Sequence, residues 1–162
     1  EGKKKKIIIL DLLNQGFKRK GTAILFDQDH TAGVYAAAEL LAQSYERVTI
    51  VTPKPTIGSK INYISLIGVM RRLALLRIDI IPITVPILLD NETLLLRNIL
   101  NGDETEVGDV TCLTYATPRS VDDELMVNVR AAGISAQAIG DCNAPRDMAA
   151  AIHEGYQVGI GM

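Results

Sequence analysis

The feature that most limits the fold is an alternation of short aliphatic runs with longer amphipathic segments. Three runs have the composition of strands: Gly21–Asp27, Arg47–Thr52 and Asp79–Val85. Between these three runs, the segments Ala32–Ser44 and Ile64–Arg77 repeat apolar residues at the spacing of a helix. The resulting β-α-β-α-β order predicts half of a doubly wound parallel sheet with right-handed crossovers.

The pattern changes after the third strand. Three short segments around the turn residues Asn91 and Asn101-Gly102 predict an antiparallel meander, and Asp109–Thr114 predicts a further strand. Hydrophobic residues make up 48% of the chain but aromatics only 4%, which suits a sheet buried by other layers. We therefore expect an α/β, Rossmann-like three-layer domain of the nucleotide-binding type with a short meander. The meander segments are Ile87–Asp90, Glu92–Ile99 and Glu104–Val107.

The predicted domains are a basic linker at 1–20, a Rossmann domain at 21–118 and a terminal segment at 119–162. In the last segment, Val121–Ala132 predicts a helix closed by Gly133, and Ala136–Ile139 a short strand. A final helix begins at Asp147–Glu154. In the linker, Asp11–Gly16 predicts one helical turn.

Charge is spread unevenly along the chain. Residues 1–20 hold 7 of the 17 Lys and Arg and 2 of the 19 Asp and Glu, so they carry +5 and the remainder −7. A solvated linker explains this end better than a nucleic-acid arm, because no aromatics are interleaved for base stacking. We therefore expect no nucleic-acid partner. We also expect no membrane partner, since no apolar run reaches the roughly 18 residues needed to span a bilayer. The first residue, Glu1, suggests a fragment or processed product.

Two residue types indicate the compartment and the chemistry. Cys112 and Cys142 form no CxxC motif, and both lie in apolar surroundings, so we expect buried reduced thiols in a cytoplasmic protein. His153 is a lone histidine beside Glu154. No nucleophile with a partnered base is found, so the sequence predicts no catalytic constellation.

The turn after the first strand carries the sequence FDQDHTAG in place of a glycine-rich phosphate loop. Asp27 and Asp29 would repel a diphosphate by about 1 kcal/mol per charge pair in water. Strand two also lacks the acidic residue that holds a ribose, although Lys54 could face a 2′-phosphate. A metal site on Asp27, Asp29 and His30 is an alternative, but His30 is expected as a cap or surface residue.

The segment IGDCNAPRDMAAAIHEG at Ile139–Gly155 resembles the ending of the flavin-dependent trimethylamine, dimethylamine and histamine dehydrogenases, whose relatives include 2,4-dienoyl-CoA reductase. The segments FDQDH, RVTIVTPKP, VMRRLALLRIDI and TYATPRSVDDEL agree with this resemblance, with Ala116-Thr117-Pro118 in place of V-T-G. It implies a glutathione-reductase-like fold: an NAD(P)H-type domain inserted in an FAD- or ADP-binding domain.

The resemblance also implies cofactors and partners. The parent enzyme would carry FMN and a [4Fe-4S] cluster, and possibly ADP or FAD, with none expected in this fragment. Gly140, Asp141 and Arg146 would be the cofactor-binding residues, although Asp141 could instead cap the last helix. The partners would be the rest of the parent oxidoreductase, with an electron-transfer flavoprotein and a second copy of the chain as further candidates.

The sequence therefore predicts an accessory, nucleotide-binding-like domain that has lost its nucleotide and does not catalyse alone. A free-standing ADP or NAD(P)H module is the first alternative. The second is a docking domain whose residues Lys3–Lys6 and Lys18–Lys20 receive an acidic electron carrier.

Overall fold

A computed structural model of the chain describes residues 20–161. The chain divides into two compact units, unit 1 ending at Thr117 and unit 2 beginning at Pro118. The predicted linker, apart from Lys20, and its helical turn lie outside the described residues.

Unit 1 contains a parallel and an antiparallel sheet. The strands are β1 Thr22–Asp27, β2 Arg47–Val51, β3 Asp79–Ile81, β4 Thr84–Asp90, β5 Thr93–Asn98, β6 Glu104–Val107 and β7 Val110–Ala116, and the helices are α1 Ala32–Ser44 and α2 Tyr63–Leu75. The parallel sheet has the order β3-β2-β1-β7 and the antiparallel sheet the order β4-β5-β6. This confirms the predicted α/β class, with its parallel sheet and short meander.

Strand β1 is the centre of unit 1, because its two faces pack in two different cores. Ala23 and Leu25 lie in the cluster that contains most of the buried residues of α1 and those of α2. Ile24, the residue between them, lies with Leu94 and Leu96 of the meander. Side chains alternate across a strand, so the parallel sheet is the middle layer between the helices and the meander.

The predicted third strand, Asp79–Val85, is wrong as one element. β3 ends at Ile81, and β4 begins at Thr84 in the other sheet. Pro82 has no N–H to donate to a ladder, and Ile83 adopts a left-handed φ of 56°. These two residues redirect the chain from the parallel sheet into the antiparallel one.

Unit 2 contains the helices α3, Glu124–Ala131, and α4, Met148–Ile160, with a 3₁₀ turn at Gly140–Cys142. The predicted strand Ala136–Ile139 is wrong as a sheet strand: it pairs with no strand in the part of the chain that is described. Cys112 is buried as expected, but Cys142 is exposed. Across residues 20–161, no helix has the length and apolar character needed to cross a membrane.

Candidate functional site

The first candidate site is the β1–α1 turn, Gln28–Thr31, at the carboxyl end of the parallel sheet. A Rossmann fold holds its dinucleotide there, over the amino end of the first helix and where the strand order reverses. The order reverses between β1 and β7, and the Gln28 N–H donates to the Ala116 carbonyl oxygen at 2.9 Å. The turn thus lies where a nucleotide would be expected.

The Asp27 carboxylate is fully buried and organises the turn. Its Oδ1 accepts from the backbone N–H of Asp29 at 3.1 Å and of His30 at 2.8 Å. Its Oδ2 accepts from the Tyr35 hydroxyl at 2.7 Å. Hydrogen bonds of this kind stabilise a buried carboxylate, so Asp27 satisfies groups of the protein itself.

Tyr35 closes the network from helix α1. Its hydroxyl donates to Asp27 and accepts from the Gly58 N–H at 2.5 Å. Burial, reinforced by the hydrogen bond to Asp27, raises the pKa of Tyr35 far above its ordinary value, so the hydroxyl keeps its proton. The sequence interpretation missed Tyr35. The available signal was a tyrosine on the apolar face of α1, since a buried hydroxyl needs a polar partner.

His30 is fully buried, which corrects its expected place as a cap or surface residue. Its left-handed φ of 60° accompanies an inward-facing ring, with Nε2 3.2 Å from Thr52 Oγ1. Its Nδ1 lies 3.6 Å from Asp27 Oδ2 and has no hydrogen-bond partner among the described residues. Burial lowers the pKa of His30, although the Asp27 carboxylate opposes this shift, and the ring is neutral at neutral pH.

The loop between β2 and α2, residues 53–62, packs on the β1–α1 turn. The Lys60 N–H donates to the His30 carbonyl oxygen at 3.4 Å, and Lys60 Nζ donates to Asp29 Oδ1 at 2.9 Å. The described residues contain no group of three or more acidic, His or Cys side chains that could hold a metal. The turn is filled by the protein's own side chains.

Gly58 is the residue of this loop that tolerates a side chain least. Its φ is +69°, and an added Cβ would lie 2.3 Å from Leu66 Cδ1. We expect Gly58→Ala to lower the free energy of unfolding of unit 1 by about 1 kcal/mol, because alanine resists a left-handed φ and Leu66 must move. Urea unfolding measures this. Gly102→Ala, also at positive φ but with open space around it, is the matched control and isolates the packing contribution.

The second candidate site is in unit 2, where the structure brings Gly140, Asp141 and Arg146 together. Asp141 Oδ1 accepts from the Arg146 N–H at 3.3 Å, and Oδ2 accepts from Arg119 at 2.7 Å. The Gly140 N–H donates to Glu154 Oε2 at 2.7 Å, and the Arg146 guanidinium forms an ion pair with the same carboxylate. Arg119 and Glu154 were not identified from the sequence.

Asp147, and not Asp141, caps α4. The Asp147 carboxylate accepts from the Ala150 N–H at 2.8 Å, as an N-cap residue does. Asp141 therefore has no capping role. Its two oxygens hold Arg119 and the backbone of Arg146 close to the amino end of a 13-residue helix. An anion is stabilised at such a helix end.

The sequence matches no protein-family model and no curated protein. The fold matches 6-hydroxypseudooxynicotine amine oxidase from Pseudomonas geniculata N1 over 94% of this chain, at a TM-score of 0.82 and 23% identity. Histamine dehydrogenase from Rhizobium sp. 4-9 matches over 93% at 0.77 and 21%, and 2-naphthoyl-CoA reductase over 94% at 0.75 and 20%. The chain covers 24%, 25% and 23% of these proteins, respectively.

Thioredoxin reductases also have a similar fold. One of them matches over 86% of this chain at a TM-score of 0.61 and 18% identity. The predicted resemblance to the histamine dehydrogenase family is confirmed at the level of the fold, and it is consistent with the C-terminal region of that family. The chain spans about a quarter of the length of these neighbours.

Proposed function

We propose that the chain is the C-terminal accessory region of an FMN- and [4Fe-4S]-dependent flavin oxidoreductase of the amine dehydrogenase or enoate reductase type. In this proposal unit 1 is an NAD(P)-binding-like domain without a nucleotide, and unit 2 is the terminal segment of an FAD- or ADP-binding domain. The region shapes the tail of the parent enzyme and does not catalyse alone.

The observation that carries the proposal is the internal network of the β1–α1 turn. A dinucleotide site needs free helix N–H groups and space for a pyrophosphate beside the strand end. Here the buried Asp27 carboxylate already accepts from Asp29, His30 and Tyr35, and Tyr35 ties the turn to Gly58. A diphosphate would have to displace these groups and lie beside a buried negative charge.

Unit 2 supports the second half of the proposal. Gly140 has a φ of +62°, and an added Cβ would lie 3.3 Å from Ala151 Cβ, so both the backbone conformation and the close approach to α4 favour glycine at this position. Asp141 and Arg146 lie at the same helix end. In the parent, we infer that Gly140, Asp141 and Arg146 face the bound cofactor. The Asp141–Arg119 and Arg146–Glu154 pairs hold their side chains in place in this chain.

Ligand titration of the full chain tests the proposal. We expect no shift in melting temperature and no heat with ADP, NADH or NADPH. A ligand at about 100 times its dissociation constant would stabilise the fold by about 2.7 kcal/mol, which is easily measured. Calorimetry and thermal unfolding are run on the natural chain, on Asp141→Asn, and on Asp122→Asn as the control at an exposed carboxylate of the same unit.

Two outcomes would contradict the accessory role. A shift that is lost in Asp141→Asn but kept in Asp122→Asn would support the alternative of an ADP module with its site in unit 2. A shift with NADH that neither substitution changes would place a nucleotide at the β1–α1 turn.

A further inference from the structure

The turn between β5 and β6, residues 99–103, contains a chemically labile pair of residues. Asn101 is the only asparagine of the chain that is followed by glycine. Glycine has no side chain to shield its backbone nitrogen, so this nitrogen can attack the amide carbon of a preceding asparagine. Asn101 and Gly102 are both exposed. Among the described residues, no atom beyond its chain neighbours lies within 4 Å of a Cβ added at Gly102. Solvent therefore reaches both reacting groups.

The reaction of this pair needs no reagent other than water. The Gly102 nitrogen gives its proton to hydroxide and forms a bond to Asn101 Cγ. The Cγ–Nδ2 bond breaks, and the amide nitrogen takes a proton from water and leaves as ammonia. A second water molecule opens the resulting succinimide ring at either carbonyl carbon, which leaves aspartate or isoaspartate at position 101. No group is oxidised or reduced.

In the folded chain, a hydrogen bond occupies the attacking nitrogen. The Gly102 N–H donates to the Asn98 carbonyl oxygen at 3.0 Å. The turn around this bond is closed by further contacts, because the Asn98 N–H donates to the Asp103 carbonyl oxygen at 2.9 Å and Asn98 Oδ1 accepts from the Leu100 N–H at 2.9 Å. A nitrogen whose proton is held within such a turn loses it to hydroxide less readily than a solvated one.

Asp103 holds the other reacting group, the Asn101 side chain. Asn101 Nδ2 donates to Asp103 Oδ2 at 2.6 Å, and Asn101 Oδ1 accepts from the Asp103 N–H at 3.0 Å. The second of these is the turn that an asparagine side chain makes with the backbone two residues on. Two hydrogen bonds to one residue restrict the rotation of the Asn101 side chain, and ring closure with Gly102 requires that rotation.

We propose that Asn101 is a site of spontaneous deamidation and that Asp103 sets its rate. The reaction then proceeds from the fraction of molecules in which the turn is open, as amide hydrogen exchange does. Loss of the hydrogen bond between the Asn101 amide and the Asp103 carboxylate should raise this fraction, and with it the rate, about fivefold.

The product is expected to loosen the turn in which it forms. An aspartate at position 101 places its carboxylate against that of Asp103, where the amide now donates, and like charges repel. Isoaspartate lengthens the backbone by a carbon atom, so the bond from Asn98 to Asp103 loses its register. Amide exchange in β5 should become faster after deamidation. This strand carries Leu94 and Leu96, which pack in one cluster with Ile24 of β1.

Peptide mass spectrometry of the full chain, incubated at mildly alkaline pH, tests the proposal. We expect Asn101 to be converted faster than the exposed Asn91 and Asn143, which are not followed by glycine. Asp103→Ala should raise the rate at Asn101 about fivefold, because it removes the acceptor of the Asn101 amide. Glu106→Ala removes another exposed carboxylate of the same hairpin and is the matched control.

Two further measurements separate the turn from the local sequence. Asp103→Asn keeps an oxygen that can accept from Asn101 Nδ2, so this variant should react more slowly than Asp103→Ala. In urea, where the turn is unfolded, the natural chain and Asp103→Ala should react at the same rate, and the natural chain faster than in its folded state.

Three results would overturn the proposal. The first is a conversion of Asn101 no faster than that of Asn91, and the second is an Asp103→Ala rate equal to or below that of Glu106→Ala. The third is a difference between the natural chain and Asp103→Ala that persists in urea. The test involves no nucleotide, so its failure leaves the proposed function untouched.

Discussion

Replacing Asp27 with alanine is expected to destabilise unit 1 by at least about 3 kcal/mol. The substitution leaves three donors without their acceptor, namely the N–H groups of Asp29 and His30 and the Tyr35 hydroxyl. Each buried donor left unsatisfied costs about 1–3 kcal/mol. The Tyr35 hydroxyl would keep only the Gly58 N–H, which is itself a donor.

Amide hydrogen exchange of β1 is the appropriate measurement, because it reports the opening of unit 1 separately from unit 2. Asp90→Ala is the matched control. Asp90 also ends a strand, but it is exposed and its carboxylate accepts only from the neighbouring Asn91 side chain in the described contacts. Its replacement should change stability by no more than about 0.5 kcal/mol. A loss below about 1 kcal/mol for Asp27→Ala would show that the turn does not depend on this carboxylate.

The stability of unit 1 is expected to fall as the pH falls below about 6.5, the ordinary pKa of histidine. Burial lowers the pKa of His30 in the folded state, so the unfolded chain binds a proton first. Stability therefore rises with pH between the folded and unfolded pKa values, by up to ~1.4 kcal/mol per pH unit. Asp27 and Asp29 favour the protonated ring, whereas Lys54 and Lys60 oppose it.

His30→Asn isolates this contribution, because asparagine tolerates the left-handed φ of 60° and does not titrate. Urea unfolding between pH 5 and 8 measures how the free energy of unfolding depends on pH. This dependence should be shallower for the variant than for the natural chain, by an amount that corresponds to at most about one bound proton. His153→Gln, at an exposed position on α4, should retain the slope of the natural chain. Equal slopes for the natural chain and His30→Asn would contradict a buried neutral histidine.

The order of strands and helices in unit 1 could be predicted from residue patterns because it depends on local periodicity. The predicted helix Ala32–Ser44 matches α1, since its apolar positions recur along one helical face. The predicted strand Ala136–Ile139 shows the limit of this reasoning. Alternation is a property of the segment, but a sheet strand also needs a neighbour, and the described residues offer none.

The candidate site could be located from the sequence but not described. The acidic turn at Asp27–Asp29 and the absence of a glycine-rich loop were visible as residue types, and they already argued against a diphosphate. The pairing of Asp27 with Tyr35 was not visible, nor that of Asp141 with Arg119, 22 positions apart. Such contacts depend on how helices and loops pack on the strand ends.

The sequence by itself thus determined the succession of elements and the acidic character of the turn, because both follow from the nearest neighbours of each residue. Only the tertiary structure decided that His30 points inward and that Tyr35 satisfies Asp27. A left-handed φ and the packing of residues 53–62 are set by long-range contacts, and these determine which polar groups lose water and must find a partner within the protein.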